Sequence, residues 1–316
     1  MAALLALPGV AGAQQAARFS GTVVMARGAD TAGVPRTVVQ LHRVSAAAQG
    51  VIDSTVTDRR GAFAFRVVAE SGAAYLVSAR HQGIEFFTPP LTTDRARPDT
   101  GIRIVVADTS SGPGARLRVS TRHLLVQGGD SAGWRAAIDL ITISNPGPYT
   151  RVGPDTASPS YVTLLPPAAS QPELADGDVG PEAVRFHDGA LALYSPVAPG
   201  ELQLTLQYLL PAGRDVAIPF GDTTAAFNLL LDGEGSVTAG PPLEGPIPTT
   251  LEGRDLRRWS GPVPGGAVVQ LDLRGPRHTP GWLLAALVGL MTAGLLSTVF
   301  LLRRRRPALA KGSSKP

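Results

Sequence analysis

Cysteine is absent from all 316 residues. That excludes disulfide frameworks, thiolate zinc sites, iron–sulfur clusters and cysteine nucleophiles. Histidine occurs only five times, and His42, His81, His123, His187 and His278 stand singly, without the spacing of metal ligands. Phosphate-binding loops are missing too: Gly112-Pro113-Gly114 has no helix after it, and neither a P-loop nor a dinucleotide fingerprint occurs. No cofactor or metal is therefore expected.

Net positive charge is confined to one short stretch. The whole chain nets +4, but Arg303, Arg304, Arg305, Arg306, Lys311 and Lys315 supply six cations with no acid among them, so everything upstream nets −2. A slightly acidic body offers no footprint for nucleic acid. Gly 36 and Pro 28 together make about a fifth of the chain, which favours a turn-rich β protein over a helical one and falls short of aperiodic disorder. At this length two folded units are expected.

The run Trp282–Leu302 holds twenty-one residues without a charge, about 31 Å as a helix at roughly 1.5 Å per residue, which matches a bilayer's hydrocarbon core. Pro280 and Gly281 break the chain before it, Trp282 suits the headgroup region, and Arg303 to Arg306 place the tail in the cytoplasm by the positive-inside rule. Residues before Pro280 are then an ectodomain, and the lipid bilayer is the first expected partner. Gly281, Ala285, Gly289, Ala293 and Ser297 recur every fourth residue, a stripe along which a second helix can approach for self-association or a membrane partner. The first eighteen residues read as an export leader, apolar from Met1 and with an A-x-A-like Ala11-Gly12-Ala13 before Gln14. No Lys or Arg precedes Arg18, so the basic start of such a leader is missing.

Between Phe19 and Asp108, seven short alternating runs are separated by Gly, Asp and Ser turns: FSGTVVM, TVVQLHRV, GVIDSTVT, GAFAFRVV, AAYLVSAR, GIEFFTPP and GIRIVVAD. This is the grammar of a β-sandwich. Phe63, Phe65 and Val67 share one face, as do Tyr75, Val77 and Ala79. Phe86 and Phe87 are neighbours in one run, so one points in and the other out as a contact patch. Together with Gly21-Thr22-Val23, Gly33-Val34-Pro35 and Tyr75 to Ala79, the segment Thr57-Asp58-Arg59-Arg60-Gly61-Ala62-Phe63-Ala64-Phe65 resembles the carboxypeptidase regulatory-like, transthyretin-like domain; neighbouring families such as collagen-binding-type repeats show similar patterns. The resemblance covers under a third of the chain. It implies a seven-stranded prealbumin-like sandwich that serves as a structural or binding appendage, with no functional residues to carry over. The zinc peptidase domain that accompanies it elsewhere needs an H-x-x-E pair, which neither His42 nor His81 provides.

Residues 109–115 read as a flexible linker. From Arg116 to about 275 the strand pattern resumes in RLRVSTRHLLVQ, WRAAIDLITIS, SYVTLLP, AVRFHDGALALYS, ELQLTLQYLLP, DVAIPF, AAFNLLLD and AVVQLDLRG, each read as one strand, with Leu202, Leu204, Leu206 and Tyr208 on one face of a long run. A second sandwich is expected, with long loops over Asn145 to Asp178 around the strand SYVTLLP. The fold class is thus all-β: two tandem β-sandwiches, the first transthyretin-like, followed by one C-terminal transmembrane helix.

Two chemical patterns need weighing. Gly129-Asp130-Ser131-Ala132-Gly133 matches G-x-S-x-G and resembles the serine motif of hormone-sensitive-lipase-like hydrolases, with Ser131 as nucleophile, Asp139 downstream and His187 as base. Its setting between two alternating runs reads instead as a hairpin loop. The acidic loops Asp176-Gly177-Asp178 and Asp232-Gly233-Glu234 carry oxygen ligands of the kind calcium takes, without the EF-hand register. The sequence therefore points to a non-enzymatic binding or scaffolding protein with an envelope protein or glycan as partner; a hydrolase using Ser131, or a ligand sensor acting through a membrane partner, are the alternatives.

Overall fold

A computed structural model of the chain describes residues 16–27, 30–46, 48–92, 99–251 and 253–274. Of the expected leader, residues 1–15 lie outside these residues, as do the apolar run Trp282–Leu302 with its small-residue stripe, Arg303 to Arg306 and His278, whereas Ala16, Ala17 and Arg18 belong to the first strand. Among the described residues no helix is long and apolar enough to cross a membrane, and the regular structure is strand with two 3-10 turns, Pro113–Ala115 and Pro181–Ala183.

Nine strands build the first part: β1 (Ala16–Arg27), β2 (Asp30–Gly33), β3 (Val38–Val44), β4 (Gln49–Val56), β5 (Ala62–Val68), β6 (Ala74–His81), β7 (Ile84–Phe87), β8 (Leu91–Thr92) and β9 (Asp99–Val106). One sheet centres on β1, which pairs antiparallel with β2 and β5 and parallel with β9. The other runs β4-β3-β6-β7, with β8 beside β6. Phe19, Val39, Leu41, Phe65, Tyr75 and Val77 from both sheets fill one core. Alternation is what produces it: Phe63 and Phe65 are buried while Ala64 and Arg66 beside them are exposed. Phe86 joins this core and Phe87 stays 53% exposed.

The turn that feeds β5 shows how the chain sets its registers. Asp58 Oδ1 accepts from the backbone N–H groups of Arg60 and Ala62, both at 2.8 Å, and Gly61 sits at φ 78°. These two donors hold the Asp58 carboxyl below the usual carboxylate range. Gly61 is required twice over, because an added Cβ would also lie 2.4 Å from Val23 O.

Fifteen further strands follow: β10 (Thr109–Ser110), β11 (Arg118–Val126), β12 (Trp134–Asn145), β13 (Thr150–Arg151), β14 (Tyr161–Leu164), β15 (Ser170–Gly177), β16 (Val184–His187), β17 (Ala190–Leu193), β18 (Gly200–Pro211), β19 (Asp215–Pro219), β20 (Thr224–Asp232), β21 (Ser236–Ala239), β22 (Glu244–Leu251), β23 (Arg254–Val263) and β24 (Val268–Asp272). A seven-stranded sheet runs β15-β18-β12-β11-β20-β23-β22, and two three-stranded sheets, β14-β17-β16 and β19-β24-β21, complete the layers. Leu124, Ile141, Leu191, Leu204, Val216, Phe227 and Leu271 belong to one core drawn from all three sheets. Leu202, Leu204, Leu206 and Tyr208 are all buried in it.

Three expectations change. The stretch Asn145 to Asp178 carries the expected strand in SYVTLLP as β14, but also β13 and β15 where loops were expected; Pro172 and an irregular register confine β15 to the sheet edge. The run AVRFHDGALALYS is a hairpin of β16 and β17, turned at Asp188 and Gly189, both at positive φ. Finally, the linker is tied down on both sides. Asp108 Oδ1 takes hydrogen bonds from His81 Nε2 at 2.9 Å and Gln82 Nε2 at 2.7 Å, and Gln82 Oε1 accepts from Thr109 N. Beyond it, β10 pairs parallel with β13, and Arg151 Nη1 donates to Ser111 O and Gly112 O.

Candidate binding cleft beside Arg116 and Asp222

The serine motif is a turn. Asp130 Oδ1 accepts from Ala132 N and Trp134 N, at 2.9 and 2.8 Å, and Gly133 lies at φ 84°. That is the Asp58 arrangement repeated between β11 and β12, and it puts Ser131 on an exposed hairpin tip rather than on a strand-to-helix elbow. The other members of the expected triad are elsewhere. His187 is on β16, 58% exposed, beside Asp188 at 3.4 Å. Asp139 is buried in the middle of β12 and committed to other groups.

Those groups are a buried ionic cluster that alternation on its own hides. Arg122 Nε and Nη2 donate to the two oxygens of Asp139 at 3.0 and 2.7 Å, and Tyr208 Oη donates to Asp139 Oδ2 at 2.9 Å. Arg122 Nη1 reaches Pro219 O at 3.1 Å, and the guanidinium stacks 4.9 Å from the centroid of Phe220. Arg122 comes from β11, Asp139 from β12 and Tyr208 from β18, adjacent strands of one sheet; Pro219 and Phe220 close the cluster from the opposing layer. A charge this deep is tolerable only when paired and hydrogen-bonded. Burial raises the Tyr208 hydroxyl well above the usual tyrosine range, and the Asp139 charge adds to it. With its polar atoms spent internally, the cluster is a structural lock across two layers.

Open polar surface lies at the end of the same sheet, where the junction segment enters. Two recesses flank Arg116 and Leu117 and share Asp222. The smaller, about 450 Å³, runs between Ser111–Ala115 and the Arg151, Ser160 and Tyr161 wall. The larger, about 620 Å³, lies over the start of β11, the end of β12 and the start of β20, with Arg118, Ser120, Ser144 and Thr223 on its rim. Tyr161 Oη donates to Asp222 Oδ2 at 3.0 Å; burial first, then the Asp222 charge, pushes the Tyr161 hydroxyl above its ordinary range. Arg116 and Arg118 are exposed, and among the described residues neither guanidinium has a hydrogen-bond or ion-pair partner. Arg151, by contrast, is spent on Ser111 O, Gly112 O and Ser160 O.

The remaining sequence candidates are dispersed. His42 Nε2 lies 2.8 Å from Ser78 Oγ, and its ring sits 5.4 Å from that of Phe87. His81 binds Asp108, and His123 is half-buried on β11. In the acidic loops Asp176 Oδ1 accepts from Gly177 N and Asp178 Oδ2 from Gln203 N, while Asp232 O and Glu234 O accept from Arg135. Among the described residues no three His, Asp or Glu side chains gather as metal ligands.

Sequence reasoning missed both the ionic cluster and the cleft. The cluster left a trace: Arg122 shares its face with Leu124 and Val126, and Asp139 with Ala137 and Ile141, all of them buried. Two opposite charges on the apolar faces of neighbouring strands are the signature of a buried pair. The cleft left none, since Arg116 and Asp222 are 106 positions apart.

No family model matches the chain, and no curated protein matches it by sequence. Similar solved structures include the major pilin subunit of Bacillus cereus, at 11% identity and a TM-score of 0.20, covering 81% of this chain and 87% of the pilin. Invasin, a bacterial integrin-binding protein, aligns at 10% identity and a TM-score of 0.16, over 82% of this chain and 56% of its own. Superpositions this loose carry neither a topology nor an activity over to this chain.

Proposed function

We propose that this chain is a single-pass envelope protein that binds or scaffolds and performs no catalysis. In this reading, an export leader is cut after Ala11-Gly12-Ala13, ahead of β1 at Ala16, the strands from there to Asp272 are an ectodomain outside the cytoplasm, Trp282–Leu302 is the anchor, and Arg303 to Arg306 hold the tail in the cytoplasm. The first module is a transthyretin-like sandwich; in support, seven of its strands coincide with the seven alternating runs, and the T-D-x-x-G-x-F-x-F segment forms the Asp58 turn followed by inward Phe63 and Phe65.

The observation that carries the binding role is how the polar groups are used. Asp130 and Asp139, the acids nearest in sequence to Ser131, are bound to backbone N–H groups and to Arg122. Arg116 and Arg118, without partners among the described residues, instead rim an open recess. A catalytic serine needs a base held by an available acid; a binding surface needs unspent polar groups at a concavity. The test is co-purification of the full chain from its native membrane after crosslinking, against a control of residues 275–316 alone. An envelope protein or glycan should be enriched only with the full chain, and equal recovery from both would overturn the reading.

A further inference from the structure

Resting on that binding role, we propose that the recesses beside Arg116 and Asp222 form one groove that takes an extended, acidic peptide segment of a partner protein. The larger recess, about 620 Å³, falls within the range of roughly 300 to 1,000 Å³ common for ligand sites. Its two cations, Arg116 and Arg118, have no partner among the described residues, and a guanidinium presents a planar fork of donors that matches a carboxylate. The acid in the groove, Asp222, accepts from Tyr161 Oη and makes no ion pair with Arg116 or Arg118, and the arginines outnumber it along the two recesses. Arg116 and Arg118 therefore remain available to an incoming anion. On a chain that nets −2 before its basic tail, this rim is a local positive spot that steers acidic partners toward it.

The shape favours peptide over sugar. A pyranose presents a C–H face that is held by stacking on an aromatic ring; none lines the larger recess, where Arg118 lies, and the aromatic of the smaller one, Tyr161, is largely buried with its hydroxyl on Asp222. What lines it is strand backbone, Ser120, Ser144 and Thr223. At Ser120 the β11–β12 register slips by one residue, from Val119 opposite Ile143 to Thr121 opposite Thr142. Such a bulge leaves a residue out of the ladder at the place where an extended segment would lie. Asp222 has a second oxygen for a peptide N–H, and Ser144 and Thr223 keep hydroxyl protons for its carbonyls, while Ser120 Oγ already donates to Thr142 O.

The experiment measures binding of a fluorescent hexaglutamate peptide to the full chain in detergent. Arg303→Gln, Arg304→Gln, Arg305→Gln and Arg306→Gln are present throughout, so that the tail does not capture the probe. Arg116→Gln with Arg118→Gln should weaken binding by about tenfold or more, since two charge-assisted contacts are lost, while the melting temperature stays unchanged because both side chains are exposed. Hexaglutamate that fails to bind, or binds the double variant as tightly as the parent, overturns the proposal. So does binding of oligogalacturonate in preference to the peptide, which would assign the groove to glycan. If the groove fails while membrane co-purification still recovers a partner, the binding role stands and this site is not its seat.

Discussion

Arg122 and Asp139 meet diagonally across adjacent strands with both charges inside the core, at 3% and 0% exposure. The pair spans β11 and β12, and through Tyr208 and Pro219 it reaches β18 and the opposing layer. Removing one partner strands the other, so Asp139→Ala should cost about 3 to 5 kcal/mol. Replacing both, as Arg122→Met with Asp139→Leu, should recover a large part of that loss, because no unpaired charge is left. Chemical denaturation of the single and double variants reads this directly, and additive losses would contradict it.

The same cluster sets the response to alkali. Tyr208 and Tyr161 both hold their protons above the ordinary tyrosine range. An unfolded tyrosine ionises near about pH 10, so above that point the unfolded chain binds fewer protons than the folded one. The contribution of these two groups is therefore fully present below about pH 10 and is lost as the pH rises further. Tyr208→Phe should flatten the fall in melting temperature above about pH 10. An unchanged slope would remove Tyr208 from the response.

Asp58 and Asp130 make the same turn, yet the glycines that complete them differ in surroundings. A Cβ on Gly61 would meet Val23 O at 2.4 Å, whereas a Cβ on Gly133 meets nothing within 4 Å. Gly133→Ala should cost only the positive-φ penalty, about 1 to 2 kcal/mol. Gly61→Ala should cost more, by the clash with the β1 backbone. Equal melting temperatures for the two variants would contradict this difference.

What was legible in the residues depends on where each signal lives. Alternation fixed the seven main strands of the first module and the opposite fates of Phe86 and Phe87, because a half-buried strand writes its two faces into every second residue. It failed at edges. Ser170–Gly177 and Glu244–Leu251 carry Pro172, Pro246 and Pro248 and are largely exposed, so they lack the apolar period while still pairing on one side. Arg254–Val263 escaped for another reason: Leu256, Trp259 and Val263 are buried at spacings of three and four, amid arginines, which breaks the twofold rhythm. The groove was invisible because it joins positions far apart in the chain, and only the β11–β20 pairing brings Arg118 near Thr223.

Ser131 sits on a turn whose aspartate is spent on the backbone. Ser131→Ala should leave thermal stability and ester turnover by the full chain unchanged. Turnover abolished by this substitution would restore the hydrolase reading.

Display outside the cytoplasm by one apolar anchor is the central claim, and protease digestion of spheroplasts carrying the full chain tests it most directly. External protease should remove the strands up to Asp272 and leave a membrane-bound fragment ending in the arginine tail. An intact chain in the soluble fraction, or strands protected until the membrane is lysed, would contradict it.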